Sequence, residues 1–168
     1  MPEKKITILD HQKIEQKINR IAYQIFEDHY DHQSIVLVGI AESGYILAEL
    51  IAKKLAAFAD LKVILSKLTI NKKNPLRSKI DLEIDTDQLK NQSIVVVDDV
   101  LNSGQTMMYA IKPLLEKEVK KISLAVLINR NHKRFPIYAE YVGLFLSTTL
   151  KEHIEVNFKK GDFTAHLS

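Results

Sequence analysis

The sequence predicts an α/β fold, with an open, mostly parallel sheet flanked by helices and a flexible flap. Two apolar runs, 34–40 and 94–97, are continuous, as expected for strands buried on both faces of a parallel sheet. Segments with helical spacing of apolar residues lie between the predicted strands, and this alternation favours parallel pairing. Ligands of such sheets bind at the carboxyl ends of the strands.

The first half of the chain supplies a strand, a helix and then a strand-helix-strand unit. Residues 5–9 predict a short strand, and Asp10 is placed to cap the helix that follows. After the apolar strand 34–40, helical spacing runs from 45 to 58, and residues 61–65 predict another strand. This order builds one side of the predicted sheet.

A long polar segment separates the two halves. Residues 66–93 include Pro75, several lysines and an arginine, and show little consistent periodicity. An insert of this length inside a compact domain is more often functional than accidental. We therefore expect a mobile flap or an irregular hairpin over about residues 67–92.

The second half returns to the alternating pattern. After strand 94–97 we expect a helix from about 106 to 118 and a third apolar strand at 122–128, with short strands at 141–145 and 154–158. The whole chain, residues 1–168, is long enough for one domain with one core.

Composition excludes several classes of function. Hydrophobic residues make up 46% and charged residues 27%, which is typical of a globular protein. A net charge of +3 is too mild to indicate a nucleic-acid binder, and the absence of cysteine excludes thiolate metal sites. No apolar run approaches membrane length and no leader pattern is visible, so we expect a cytoplasmic protein that does not enter a membrane.

The loop after strand 94–97 carries the clearest chemistry. Asp98 and Asp99 stand at the mouth of a buried strand, and residues 102–106 follow as a small polar loop that opens a helix. Backbone N–H groups at such a helix start bind phosphate, and Gly104 lets the backbone approach closely. Two carboxylates suit a ribose diol and a hard cation. The alternative is a strand-capping acidic pair and a turn without a ligand, but the combination favours a sugar phosphate.

These residues resemble a known signature. The block 94–106 is similar to the phosphoribosyl pyrophosphate motif of type I phosphoribosyltransferases. The resemblance covers nearly the whole chain and is closest to the bifunctional pyrimidine operon attenuator and uracil phosphoribosyltransferase family. It extends to residues 37–40 with Gly44 and to residues 124–130 and 141–143.

The resemblance implies an activity. Such an enzyme, a pentosyltransferase, joins the ribose 5-phosphate of phosphoribosyl pyrophosphate to a nucleobase and releases pyrophosphate. Uracil is the expected base, within pyrimidine salvage, and a purine stays open. The family also implies Mg²⁺ and homodimers or higher homo-oligomers.

The resemblance also assigns the site residues. Asp98 and Asp99 would hold the ribose hydroxyls and meet the metal indirectly, through ribose or water, and with Asn102 they form the expected catalytic group. The other residues expected to contact phosphoribosyl pyrophosphate are Ala41, Glu42, Ser43, Gly44, Lys72, Ser103, Gly104, Gln105 and Thr106. The residues expected to contact the base are Asn129, Arg130, Tyr141 and Val142, with stacking by Tyr141.

The sequence also departs from the family. Relatives carry basic residues in the pyrophosphate loop, whereas this chain has Glu42, which would repel a leaving pyrophosphate. Tyr23, Tyr138 and Leu144 replace the basic residues and histidine of RNA-binding relatives, so RNA binding is not expected. The alternative to an enzyme is therefore a catalytically weak regulator that senses nucleotides, with RNA or a protein as its partner.

Overall fold

The computed structural model describes residues 5–168 and contains two sheets. The main sheet has six strands in the order β4-β3-β2-β5-β6-β7, and the smaller sheet has three in the order β1-β9-β8. The strands are β1 (Ile6–Leu9), β2 (Ser34–Ile40), β3 (Lys62–Thr69), β4 (Asp81–Leu82), β5 (Ser93–Leu101), β6 (Lys121–Arg130), β7 (Tyr141–Leu146), β8 (Ile154–Lys159) and β9 (Asp162–Leu167). The α-helices are α1 (His11–His29), α2 (Ser43–Phe58) and α3 (Gln105–Ile111).

The main sheet is parallel except at one edge. Strands β3, β2, β5, β6 and β7 pair in parallel, and the two-residue β4 pairs antiparallel with β3. The small sheet is antiparallel throughout, with β9 between β1 and β8. The predicted α/β fold with a mostly parallel sheet flanked by helices is confirmed.

Hydrophobic cores on both faces explain the continuous apolar strands. On one face α1 and α2 pack through residues such as Ile14, Ile21 and Leu47, and on the other α3 packs through Met107 and Ala110. The Asp10 carboxylate accepts a hydrogen bond from the backbone N–H of Lys13 at 2.9 Å and so starts α1 as predicted. None of the helices within residues 5–168 has the length and apolar character needed to cross a membrane.

Several elements differ from the prediction, among them β5, which runs to Leu101 and not only to residue 97. The helix expected to reach about residue 118 ends at Ile111 and continues as a 3₁₀-helix, Lys112–Glu116. Pro113 has no N–H to donate to the carbonyl of Tyr109, so the α-helical pattern stops there. Strand β3 runs to Thr69, four residues beyond the prediction, and β9 was not predicted at all.

The expected flap begins on a strand. Within residues 67–92 the chain finishes β3, returns through β4 and forms a short 3₁₀-helix, Thr86–Leu89. The pairs Leu68–Leu82 and Thr69–Asp81 make the two strands a hairpin. The segment is thus built as an irregular hairpin, and its motion stays a prediction.

Candidate active site

A cavity of about 430 Å³ opens at the carboxyl edge of the main sheet. One wall is the loop after β5, and the opposite wall is the start of β8 from the small sheet. The lining consists of Ser43, Lys72, residues 98–107 and residues 153–156. The phosphate-binding loop that the sequence predicts therefore does line a cavity, together with residues more than 45 positions further along the chain.

Asp98 and Asp99 lie where β5 reaches this cavity. Asp98 is 3% exposed, and one of its carboxylate oxygens accepts from the backbone N–H of Asp99 at 2.9 Å. Lys72 Nζ donates to both carboxylate oxygens of Asp98, at 3.0 and 3.1 Å, and lies 4.0 Å from Asp99 Oδ1. The structure thus brings together the predicted ribose-binding pair and the predicted flap lysine.

The environment of Asp98 makes its charge costly. Burial, and then the neighbouring negative charge of Asp99, raise the pKa of Asp98 to about 7, while Lys72 acts in the opposite direction. Any cation or hydroxyl group that enters the cavity and contacts Asp98 would stabilise the ionised form of this carboxyl group. This favours a ligand with a diol and a partner cation.

The turn before α3 is shaped by Gly104, whose φ of +87° lies in the left-handed region. A β-carbon there would lie 3.2 Å from Ile137 Cβ, so the turn is also tightly packed. Ser103 Oγ accepts a hydrogen bond from the backbone N–H of Gln105 at 3.3 Å. The backbone carbonyl of Ser103 accepts from the backbone N–H groups of Arg134 and Phe135. The loop is therefore held from both sides, and Thr106 adds a second hydroxyl group to the lining.

The loop after β2 contributes shape more than charge. A β-carbon on Gly44 would lie 2.6 Å from the carbonyl oxygen of Val97 and 2.9 Å from Asp98 Oδ1. Glycine is therefore required for α2 to start directly against β5. Ser43 lines the cavity, whereas the Glu42 side chain is exposed and Ala41 is half-buried, and neither lines the cavity.

Two of the predicted base contacts, Tyr141 and Val142, do not line this cavity. Tyr141 is 2% exposed, lies in the core beside α1, and donates its hydroxyl hydrogen to Asp28 at 2.6 Å. Burial, and then the hydrogen bond to Asp28, raise the pKa of Tyr141. The Val142 carbonyl accepts from Arg20 at 2.8 Å. Both residues are thus engaged in contacts within the protein, on the side of α1.

The other two predicted base contacts lie at the correct edge of the sheet but are used by the protein itself. Asn129 Oδ1 accepts from Lys133 Nζ at 2.5 Å, and Arg130 makes four hydrogen bonds to neighbouring chain segments. Both residues line a second cavity of about 300 Å³ beside the first. The hydrogen bonds of Arg130 therefore join segments of the protein, and its contact with a base stays a prediction.

Sequence reasoning missed one whole wall of the site. His153, Ile154, Glu155 and Val156 face the phosphate loop across the cavity. The strand itself was expected, but its place was not, because it depends on pairing with β9 and through it with β1. No local pattern in β8 indicates that pairing.

The residues present fit a magnesium ion that arrives with a ligand. Within residues 5–168 no cluster of three or more histidine, aspartate, glutamate or cysteine side chains could hold a metal alone. Asp98 and Asp99 supply two carboxylates, and Mg²⁺ in proteins is often bound by one or two carboxylates together with substrate phosphates and water. Asp98 and Asp99 would therefore share this ion with a phosphorylated substrate.

A family model and several curated relatives match most of the chain. A family model described as "Phosphoribosyl transferase domain" matches residues 6–159. The Bifunctional protein PyrR of Fusobacterium nucleatum is 38% identical, with 92% of each chain covered. The Bifunctional protein PyrR of Clostridium botulinum (strain Alaska E43) is 35% identical over 95% of this chain and 93% of its own length.

Solved structures share the fold at low identity. A hypoxanthine-guanine phosphoribosyltransferase from Bacillus anthracis superposes with a TM-score of 0.69 at 18% identity, covering 83% of this chain and 81% of that one. A hypoxanthine phosphoribosyl transferase from Trypanosoma cruzi gives a TM-score of 0.72 at 16% identity, with 85% and 78% covered. At such identities the likeness concerns the fold alone.

Proposed function

This chain belongs to the phosphoribosyl transferase family, and we propose that it joins the ribose 5-phosphate of phosphoribosyl pyrophosphate to uracil with release of pyrophosphate. The observation that carries the proposal is the buried pair of Asp98 and Asp99 next to the phosphate loop in one cavity. A carboxylate pair accepts hydrogen bonds from a diol, and the loop around Gly104 offers backbone N–H groups to a phosphate. Ribose 5-phosphate carries both groups.

Lys72 fits a role at the leaving pyrophosphate. In the free protein its ammonium group neutralises Asp98, and its side chain is 41% exposed. A ligand that engages Asp98 and Asp99 through its hydroxyl groups would release this ammonium group toward the pyrophosphate. A cation aimed at charge that develops in the transition state lowers the barrier.

Magnesium fits the same place. Asp98 and Asp99 would hold it through water or the ribose hydroxyls, as expected from the sequence. When bound, it neutralises charge on the pyrophosphate. The protein's own part is to hold the two carboxylates, which the hydrogen bonds from the backbone N–H groups of Asp99 and Val100 fix in place.

The nucleobase is best placed against the start of β8. The base must share a cavity with the ribose carbon that it attacks, and Ile154 and Val156 supply the apolar part of the wall opposite the phosphate loop. Uracil is proposed because of the family that the sequence resembles. We further propose a cytoplasmic homodimer or higher homo-oligomer in pyrimidine salvage.

A pyrophosphate-release assay tests the proposal. Purified protein is mixed with phosphoribosyl pyrophosphate, Mg²⁺ and each base in turn: uracil, cytosine, hypoxanthine, guanine and adenine. We expect release with uracil and loss of release on chelation of Mg²⁺. Release with a purine alone would overturn the uracil assignment. Binding of phosphoribosyl pyrophosphate without release with any base would favour the nucleotide-sensing regulator.

A further inference from the structure

Arg130 joins the two walls of the cavity. Its Nη1 donates to Asn102 Oδ1 in the phosphate loop at 3.0 Å. Its other donors reach the segment that leads into β8, where Nε contacts Thr148 Oγ1 at 2.8 Å and Nη2 contacts the carbonyls of Thr149 at 2.9 Å and Glu152 at 2.8 Å. Arg130 is 8% exposed, so these contacts lie away from solvent.

The segment held by Arg130 is itself a fixed turn. Glu152 accepts from the backbone N–H of Thr149 at 2.5 Å, and His132 Nε2 contacts the carbonyl of Thr148. His153 then exchanges two backbone hydrogen bonds with Ser168. A displacement of Arg130 would therefore move the β8 wall and the Asn102 side chain together.

The contact with Arg130 fixes the polarity of Asn102. A guanidinium group only donates hydrogen bonds, so the atom it meets must be the amide oxygen of Asn102. The amide nitrogen, which only donates, is then the side-chain group of Asn102 that Arg130 does not engage, and Asn102 lines the cavity.

We propose that Arg130 is a positioning residue that holds the Asn102 amide nitrogen toward the cavity, so that position 102 donates a hydrogen bond to an acceptor on the bound ligand. The inference rests on the proposed function, because the ligand in question is a ribose phosphate or a nucleotide. An acceptor of this kind is a phosphate oxygen or a carbonyl oxygen of the base.

The polarity of Asn102 also limits what it can do in the reaction. During transfer the bond from the ribose C1′ to the pyrophosphate oxygen breaks, and the electron pair leaves with the pyrophosphate. A ring nitrogen of the base forms the new bond to C1′ and gives up its proton. The Asn102 amide cannot take that proton at neutral pH, so the proton passes to the departing pyrophosphate or to water, and Asn102 acts by binding alone.

Titration calorimetry on three single variants and one double variant tests the proposal. Asn102→Asp keeps an acceptor for Arg130 but reverses the polarity of the atom facing the cavity. Asn102→Ala removes both, and Arg130→Gln removes the tether. The probes are ribose 5-phosphate and uridine 5′-monophosphate. Arg134→Gln is the matched control, because Arg134 is exposed and only its backbone N–H contacts the loop.

We expect Asn102→Asp and Asn102→Ala to weaken binding of at least one probe by about tenfold, with Arg134→Gln close to wild type. Loss with both probes places the acceptor on the ribose phosphate, and loss with the nucleotide alone places it on the base. Because Arg130 acts through Asn102, Arg130→Gln should weaken binding less in the Asn102→Ala background than in wild type. If Arg130 acted independently of Asn102, the fold-losses of affinity in the two single variants would multiply in the double variant.

Three results would overturn the proposal. The first is unchanged affinity for both probes in Asn102→Asp and Asn102→Ala. The second is a double variant whose loss of affinity equals the product of the losses in Asn102→Ala and Arg130→Gln. The third is that the wild-type protein binds neither probe. Arg130→Lys replaces Arg130→Gln if the latter does not unfold cooperatively. The proposed transferase activity fails separately, when wild-type protein binds the probes but releases no pyrophosphate with any base.

Discussion

The loop after β5 and the loop after β2 both lead from a parallel strand into a helix, yet they serve the cavity differently. The carboxyl end of β5 and the loop after it supply charge and hydrogen-bonding groups, with Asp98 and Asp99 within the strand. The β2 loop supplies close packing, because Gly44 lets α2 lie against the backbone of Asp98. Its one acidic residue, Glu42, is exposed and does not line the cavity. Two loops of the same local architecture thus contribute differently, because one supplies groups that can bind a ligand and the other supplies close packing.

The largest expected effect concerns stability at the β5 loop. The pKa of Asp98 is raised from 3.8 to about 7, so the folded protein keeps a proton there that the unfolded chain has already lost. Stability should therefore fall as pH rises from 3.8 through about 7, by on the order of 4 kcal/mol. Urea unfolding across this range measures it. Asp98→Asn should remove the slope, and Asp60→Asn, at an exposed site, should leave it unchanged.

Gly44→Ala tests the close packing of the β2 loop. The added β-carbon would press on the carbonyl of Val97 and on Asp98, so we expect a loss of about 1–3 kcal/mol in unfolding free energy and weaker binding of phosphoribosyl pyrophosphate. Gly161→Ala is the control, because its φ of +80° costs stability while its surroundings are open. If both variants lose stability but neither loses affinity, the β2 loop does not shape the site.

Lys72→Ala tests whether the flap contributes a charge to the site next to Asp98. Loss of the ammonium group should lower kcat by about tenfold or more, since one stabilising cation is removed from the leaving group. The substitution should also raise the pKa of Asp98 further, because Lys72 lowers that pKa in the wild type. The pH at which ligand affinity reaches half of its maximum should therefore be higher in the variant. Lys73→Ala is the matched control. Equal pH profiles for the two variants would mean that Lys72 has no electrostatic role.

The smallest effect is expected at Glu42. The sequence alone suggests that Glu42 repels pyrophosphate and that Glu42→Lys should raise activity and lower the dependence on Mg²⁺. The structure instead predicts almost no effect, because the Glu42 side chain is exposed and solvent screens its charge. The rate and the Mg²⁺ dependence of Glu42→Lys should each differ from wild type by no more than about twofold. A large gain in Glu42→Lys would show that this loop reaches the pyrophosphate when ligand is bound.

The sequence predicts the parts of the molecule that local patterns specify. Asp98 and Asp99 lie in β5 and residues 102–106 follow this strand directly, so their shared edge of the sheet could be inferred. The β8 wall could not, because it depends on β1 pairing with β9, as in the pair Ile6–Leu167. The surroundings of Tyr141 could not be inferred from the sequence for a related reason. The resemblance gave its place in the chain, but the register of β7 puts it at the buried end of the strand.

The binding of phosphoribosyl pyrophosphate by wild-type protein and by the double variant Asp98→Asn, Asp99→Asn tests the central claim most directly. Calorimetry in the presence of Mg²⁺ should show binding by the wild type and none by the double variant, while both unfold cooperatively in urea. The double variant loses the carboxylate acceptors for the ribose hydroxyls and keeps the phosphate loop. Unchanged affinity in the double variant would contradict the assignment of the β5 loop as the ribose site.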